Sequence, residues 1–329
     1  MPQPTGADLH IDTYLSNLGI AYMNEPSSYI ATQVFPVVLT NKQSDLYPIY
    51  AKDYWFRDEA EKRAPLTESK GGGYELEDPG TFYAHEWAFH KDIPDEDIWN
   101  ADDVFDLEDD ALAFTIEKLR LGRERRWAAA YFGTGVWGND LVGGTDFTAW
   151  STLLSTPIDD IDSAKALIRL ATGLMPNTLV VAERVHQTLK NHASVLDRFK
   201  YTQTGIITEK LLAQVFEVER YVKASAIYAT NKEGDTENLE YILNENDALL
   251  VYAAPRPSKR SPSGGYTFRW NRPIQAGRTG ERLETTVRKM RLELIAGERV
   301  EGSVYEDIKL VASSCGVFFS EAIEVSEES

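Results

Sequence analysis

Two stretches near the start of the chain are dense in strand-forming residues, and one alternates cleanly. Asp45 to Phe56 reads Asp-Leu-Tyr-Pro-Ile-Tyr-Ala-Lys-Asp-Tyr-Trp-Phe, and Thr81 to His90 places Tyr83, His85, Trp87 and Phe89 on one face. Charged residues and Gly71, Gly72 and Gly73 lie between them as a flexible turn signal. The pattern predicts a long β-hairpin, with arms of roughly 33 to 40 Å at ~3.3 Å per residue. An isolated two-stranded hairpin is marginal in water, so one this aromatic is expected to lie against a partner. Residues 1–38 show no long amphipathic period and read as an arm that packs on something else.

A helix is expected from about Glu108 to Phe132, ~38 Å long at 1.5 Å per residue. Leu112, Ile116 and Leu119 would form its apolar stripe, Gly122 weakens its middle, and Gly133 supplies the stop. Acids crowd its first turn while Arg120, Arg123, Arg125 and Arg126 follow, as the macrodipole prefers. After a turn-rich connection over 133–157, the pattern becomes α/β. Helices are expected over 164–172, 184–199 and 208–216, with short strands over 177–182, 220–228 and 248–253. A Pro-, Gly- and Arg-rich stretch over 254–283 precedes two closing strands, Thr285 to Ile295 and Tyr305 to Phe319.

Composition removes several classes. The 329 residues, 43 % hydrophobic and 26 % charged, are those of a globular chain. The single cysteine, Cys315, builds no disulfide framework, and no apolar run approaches the ~18 to 20 residues of a membrane span. The N-terminus lacks the basic-then-apolar order of a secretory signal. A net charge of −18 argues against a general nucleic-acid binder and against docking on anionic lipid. The charge is unevenly spread. Residues 92–110 hold ten carboxylates and no base, while 255–291 hold ten bases against two acids. These runs are either solvated faces or self-complementary surfaces.

No string of chemistry-bearing residues makes a site. His85 and His90 flank Glu86, but zinc-protease histidines stand four apart on one helix face; these stand five apart on a predicted strand, on opposite faces. Gly133-Thr134-Gly135-Val136-Trp137-Gly138 copies the dinucleotide fingerprint, yet a helix precedes it and Asn139 to Gly144 is further turn, where a strand and a helix are required. The acidic run lacks the central glycine of a calcium loop. Cys315 sits in an apolar strand as an inert core thiol. Tyr266 to Arg272 interleaves bases and aromatics, as single-strand binders do, but also as protein interfaces do; the net charge favours the interface. No catalytic residue, cofactor site or metal site is expected. A metal-dependent hydrolase using His85, His90 and the acidic run, and a nucleic-acid-binding module, are the remote alternatives.

Several short segments, in order, resemble tailed-bacteriophage major capsid proteins. These are Val34-Phe35-Pro36-Val37-Val38 with Asn41-Lys42-Gln43-Ser44, Arg57-Asp58-Glu59-Ala60 with Arg63-Ala64-Pro65, and His90-Lys91-Asp92-Ile93-Pro94-Asp95-Glu96. Gly173-x-x-Pro176-Asn177-Thr178-Leu179-Val180, Ala248-Leu249-Leu250-Val251-Tyr252 and Gly265-Tyr266-Thr267-Phe268-x-Trp270 continue the likeness. The resemblance covers most of residues 30–320 and implies an α+β chain with the fold named after phage Hong Kong 97. It implies an N-terminal arm (1–40), an extended β-hairpin loop (41–92), a peripheral domain with a spine helix (93–176), an α/β axial domain (177–284) and return strands mainly in the peripheral domain (285–329).

The function so implied is structural. Pentamers and hexamers of the chain would close an icosahedral head around double-stranded DNA, in the virion, after assembly in the host cytoplasm. Implied partners are the chain itself, the portal protein, a separate scaffolding protein, a decoration protein and the packaged DNA by non-specific contact, with no membrane. An encapsulin-like compartment shell is the nearer alternative. The separate scaffold is expected because some members open with a scaffolding segment of ~100 residues, whereas this arm starts soon after Met1. Some members also crosslink a loop lysine to a neighbour's asparagine. Lys62 and Lys70 lie near the loop tip without a recognisable Asn and Glu partner, so denaturing gels of particles should show no covalent ladder. The expected contacts between copies are Tyr54, Trp55, Arg63, Trp87, Asp102, Asp103, Arg269, Trp270, Arg278 and Arg282. Reversing Arg278 and Arg282 to Glu should block shell formation and leave the fold intact.

Overall fold

The computed structural model describes residues 23–100, 106–199, 207–257, 262–271 and 286–324. In chain order these form β1 (Val37–Thr40), β2 (Ser44–Tyr50), α1 (Lys52–Trp55), β3 (Leu76–Tyr83), β4 (His85–Pro94), α2 (Asp95–Asn100), α3 (Leu107–Tyr131), β5 (Asn139–Val142), α4 (Pro157–Thr172), β6 (Thr178–Ala182) and α5 (Glu183–Asn191). There follow α6 (Ala193–Phe199), α7 (Glu209–Val215), β7 (Arg220–Ala224), β8 (Ile227–Ala229), β9 (Leu239–Tyr241), β10 (Ala248–Val251), β11 (Gly265–Trp270), β12 (Thr286–Leu292), β13 (Gly297–Leu310) and β14 (Gly316–Ser320).

One five-stranded sheet runs in the order β5-β14-β10-β6-β7 and mixes parallel with antiparallel pairs. Its three central strands, β14, β10 and β6, are buried throughout because both faces are covered. Leu179, Val181, Leu250, Val317 and Phe319 pack with Ile161, Ile168, Val185 and Leu212 of the helices α4, α5 and α7. The alternate residues Val180, Leu249 and Phe318 pack on the other side with Trp127 and Tyr131 of α3 and with Ile30, Val34 and Phe35 of the arm. Gly316 is required there, since a Cβ would lie 2.2 Å from the Trp137 ring. Ile30, Ala31, Val34 and Phe35 of the arm are therefore core of their own chain.

The second sheet is organised by β13. β4 runs antiparallel along one edge of it, β12 and β11 pair in succession along the other, and β1 adds in parallel to β11. α3 lies across β4 and β13, with Ile93, Ala111 and Val300 buried between them. Asp106 starts this helix, its carboxylate accepting the N–H groups of Glu108 and Asp109, each at 3.1 Å. The helix continues unbroken through Gly122.

Several boundaries differ from expectation. The run over 81–90 is two strands: β3 pairs with β2 up to Tyr83, and β4 pairs with β13 from His85. Ala84, fully buried, marks the change of partner, which alternation cannot reveal because it continues across the switch. The hairpin is thus β2 and β3 alone, seven and eight residues long, with Trp87 and Phe89 outside it. The stretch over 305–319 divides into the end of β13 and β14, in different sheets. Asn139–Val142, expected as turn, is the edge strand β5. The helix over 184–199 breaks at His192, whose Nδ1 accepts the Ser194 N–H at 3.2 Å and caps α6. The strand over 220–228 divides into β7 and β8. On α3 the buried residues are Ala111, Thr115, Leu119, Arg123, Glu124, Trp127 and Tyr131, whereas Leu112 and Ile116 are half-buried. The buried Arg123 and Glu124, hydrogen-bonded inside the protein, hide that face from a hydrophobicity pattern.

Candidate assembly surfaces

The β2–β3 hairpin is held at its root and open at its tip. At the root, Phe82 stacks on Phe268 of β11 with centroids 4.4 Å apart, and Tyr47 stacks on the same ring at 5.4 Å. Gly80 makes room, since a Cβ there would meet the Tyr47 ring at 2.1 Å. Beyond the root the strands pair only with each other. The tip gathers Tyr50, Trp55 and Tyr74 with centroids 5.8 to 6.0 Å apart, leaving Trp55 59 % and Tyr74 62 % exposed. Leu66 is fully exposed and holds a left-handed backbone with φ of 65°, a conformation a leucine rarely adopts. Tyr54 lies under the Arg57 guanidinium at 4.6 Å, and its hydroxyl bonds the Glu75 carboxylate, which raises its pKa. Arg63 donates to the Thr67 carbonyl from an exposed position.

The other expected contact residues have partners inside the chain. Trp87 is 38 % exposed on β4 and carries the Arg126 guanidinium over its ring at 3.9 Å. Arg269 lies 3.6 Å from Glu306. Trp270 donates its indole N–H to the Asn41 carbonyl at 3.2 Å and meets Tyr305 edge-on at 5.2 Å. Glu306 has no exposed side-chain surface and also receives Arg123 at 3.0 Å and Arg126 at 2.7 Å. Burial alone would raise its pKa; the three guanidiniums outweigh burial and hold it below the ordinary value. Asp102, Asp103, Arg278 and Arg282 lie outside the described residues.

The acidic and basic runs meet within one chain. Arg291 grips Asp95 through both nitrogens and Lys289 reaches Glu108 at 2.6 Å; beyond the basic run, Arg299 grips Asp92 at 2.6 and 2.8 Å, and Lys289 also reaches Glu298 at 2.8 Å. Hydrogen bonds from the two guanidiniums hold Asp92 and Asp95 below the usual carboxylate range. This part of the charge complementarity closes the α3 end of the second sheet on itself, because β4 and β12 flank β13 and bring the two runs together.

No family model matches the sequence. Over 271 residues the chain is 30 % identical to the major capsid protein of Burkholderia phage BcepMu, covering 79 % of this chain and 83 % of that protein. The chain belongs to the phage major capsid proteins. A crystal structure of a phage-related protein from Bordetella bronchiseptica RB50 superposes with a TM-score of 0.68 at 20 % identity, over 91 % of this chain and 94 % of that one. The capsid of cyanophage P-SCSP1u follows at 0.56 and 14 %, over 95 % and 93 %. These likenesses show the Hong Kong 97-type fold. The encapsulin of Synechococcus elongatus PCC 7942 shares it at 0.50 and 11 %, over 96 % and 97 %, so the sequence relative, not the fold, separates the two kinds of shell.

The chemistry-bearing motifs of the capsid protein are placed as follows among the described residues. His85 and His90 lie exposed on β4, and no group of metal-ligating side chains gathers among the described residues. The glycine string over 133–138 follows α3 and leads into β5, with no helix after it to present amides to a phosphate. Ser155 and His192 approach to 3.0 Å beside a surface cavity of about 350 Å³, an arrangement the sequence did not suggest. Yet Nδ1 of His192 accepts the Ser194 N–H, so Nε2 carries the proton and cannot take one from Ser155, whose hydroxyl donates to the Thr152 carbonyl at 2.6 Å. Cys315 is buried, which pushes its thiol up to about 11. Tyr50, Tyr74 and Leu66 were not among the expected contact residues; the hairpin register, with Tyr50 opposite Leu76, is what brings Tyr50 and Tyr74 together.

Proposed function

We propose that this capsid protein takes pentameric and hexameric places in the icosahedral head of a tailed bacteriophage and encloses double-stranded DNA. The observation that carries this reading is the hairpin with a buried root and an exposed aromatic tip. A two-stranded hairpin whose tip segment leaves Trp55, Leu66 and Tyr74 in water, with Leu76 at the start of β3, is completed by a second copy. In this reading residues 1–40 are the arm, 41–92 the extended loop, 93–176 the peripheral domain with α3 as spine, 177–284 the axial domain and 285–329 the return strands, of which β14 joins the axial sheet. Tyr54, Trp55 and Arg63 then face a neighbour, with Trp87 and Trp270 at the rim. Charge contacts between copies fall to Asp102, Asp103, Arg278 and Arg282, because Asp92, Asp95 and Glu108 are already paired within the chain. Exposed ion pairs contribute only ~0 to 1 kcal/mol each, so loop burial repeated over many subunits must dominate.

The partners that belong to this reading are the portal, a scaffolding protein, a decoration protein and DNA held without sequence preference. Assembly takes place in the host cytoplasm. Electron microscopy and sedimentation of the full chain, expressed alone and with its phage neighbours, test it. Closed shells, or pentamers and hexamers that convert to them, support the proposal. A strictly monomeric or dimeric species under both conditions overturns it. Shells that package an enzyme and no nucleic acid would favour the encapsulin-like alternative.

A further inference from the structure

Residues 24–35 enter the core beside α3, where two carboxylates two turns apart receive them. Glu117 accepts the Asn24 N–H at 3.3 Å and the Tyr29 hydroxyl. Glu124 accepts the N–H groups of Ile30 at 3.0 Å and Ala31 at 2.9 Å. The segment is also tied to the strands opposite. Asn24 donates to the Ile227 carbonyl at 2.9 Å and accepts the Ile227 N–H at 3.1 Å, while Arg220 donates to the carbonyls of Gln33 and Val34. These few residues therefore fasten α3 to β7 and β8.

Glu124 differs from the other fasteners. It has no exposed surface, and no cation stands within ion-pair distance of it among the described residues. Its neighbour Arg123 is engaged with Glu306. The charged or titratable groups that act on it are Arg123 of its own helix and Tyr29 of the arm; Glu117 stands two turns earlier on α3, and Arg220 of β7 bonds the arm at Gln33 and Val34. The strands packed behind contribute the apolar side chains Val222, Leu249 and Phe318. A carboxylate removed from water and from cations costs more charged than neutral.

We propose that Glu124 is a proton-operated anchor for residues 24–35, holding this segment to α3 more tightly when its carboxyl is neutral than when it is charged. Burial pushes its pKa from 4.5 up to about 7, against the opposing pull of the Ala31 and Ile30 N–H groups and Arg123. When the segment is released into water, Glu124 titrates at its ordinary value, so the docked form binds more protons between those limits. The ratio of docked to released is thus highest below pH 4.5 and falls as pH rises through about 7.

Hydrogen exchange of the full chain, read by mass spectrometry on peptides covering 24–35 and corrected for intrinsic rates, tests the anchor. Between pH 5.5 and 8.5 the opening constant of this segment should rise on the order of 30-fold in the wild type. It should stay flat in Glu124→Gln, and peptides from β6 and β10 should show no such rise in either. The same slope in Glu124→Gln, or no slope in the wild type, overturns the proposal. The wild-type profile against the β6 and β10 controls decides the matter even if the variant does not fold.

Discussion

The chain builds two aromatic clusters from the same kinds of residue and treats them in opposite ways. Phe35, Trp127, Tyr131 and Trp137 meet at centroid distances of 4.5 to 6.4 Å, and all four are buried. Tyr131 donates to the Lys309 carbonyl at 2.9 Å and Trp137 to the Tyr131 carbonyl at 2.7 Å. Tyr50, Trp55 and Tyr74 meet at similar distances, but Trp55 and Tyr74 remain exposed and Tyr50 is half-buried. Ring-to-ring contact is the same in both, so it does not set their roles. What lies behind the rings does. The first cluster joins the arm, α3 and a sheet into one core, and its burial stabilises the subunit. The second rests on little behind it, and under the proposed function its exposed apolar surface is what a second copy would cover.

Substitutions can break this contrast. Trp127→Ala removes a fully buried indole from the first cluster and should cost about 3 to 5 kcal/mol, read as a lower midpoint in chemical denaturation. Glu306→Gln leaves Arg123 and Arg126 crowded without the carboxylate between them and should cost about 3 kcal/mol. Because that carboxylate's pKa is depressed, its contribution is complete above the ordinary carboxylate range and is lost as pH falls below that range through the lower folded-state value. The wild type should therefore lose more stability than Glu306→Gln when both are acidified. Trp55→Ala and Tyr74→Ala should change subunit stability by less than ~0.5 kcal/mol in the same denaturation experiment, yet lower the yield of shells. Asp92→Asn should have the smallest effect, a slight loss at neutral pH that vanishes in acid, because the pair with Arg299 is partly open to water.

The legible parts of the fold were those where one physical signal dominates. The long helix was placed within a residue at each end by its acidic start and the Gly133 stop, and the apolar runs at Leu179-Val180-Val181 and Ala248 to Val251 marked strands covered on both faces. The hairpin was found but drawn too long, because β-alternation carries no information about which strand is the neighbour at Ala84. The buried face of α3 was misread because Arg123 and Glu124 are core residues there, made tolerable by Glu306 and by the backbone of Ile30 and Ala31. Charge runs were legible as complementary, but whether a pair closes within a chain or between chains depends on sheet order. Here the order β4-β13-β12 brings Asp95 to Arg291 of the basic run, while Asp92 pairs with Arg299 of β13, outside that run.

The central claim is that the exposed cluster belongs to the assembly and the buried one to the subunit. The most direct measurement is sedimentation velocity with electron microscopy of the wild type and of a Trp55→Ala, Tyr74→Ala double variant under identical assembly conditions. The wild type should form closed shells, and the double variant should remain as folded small species with an unchanged denaturation midpoint. Closed shells from the double variant in wild-type yield, or a subunit that unfolds with it, would contradict the account.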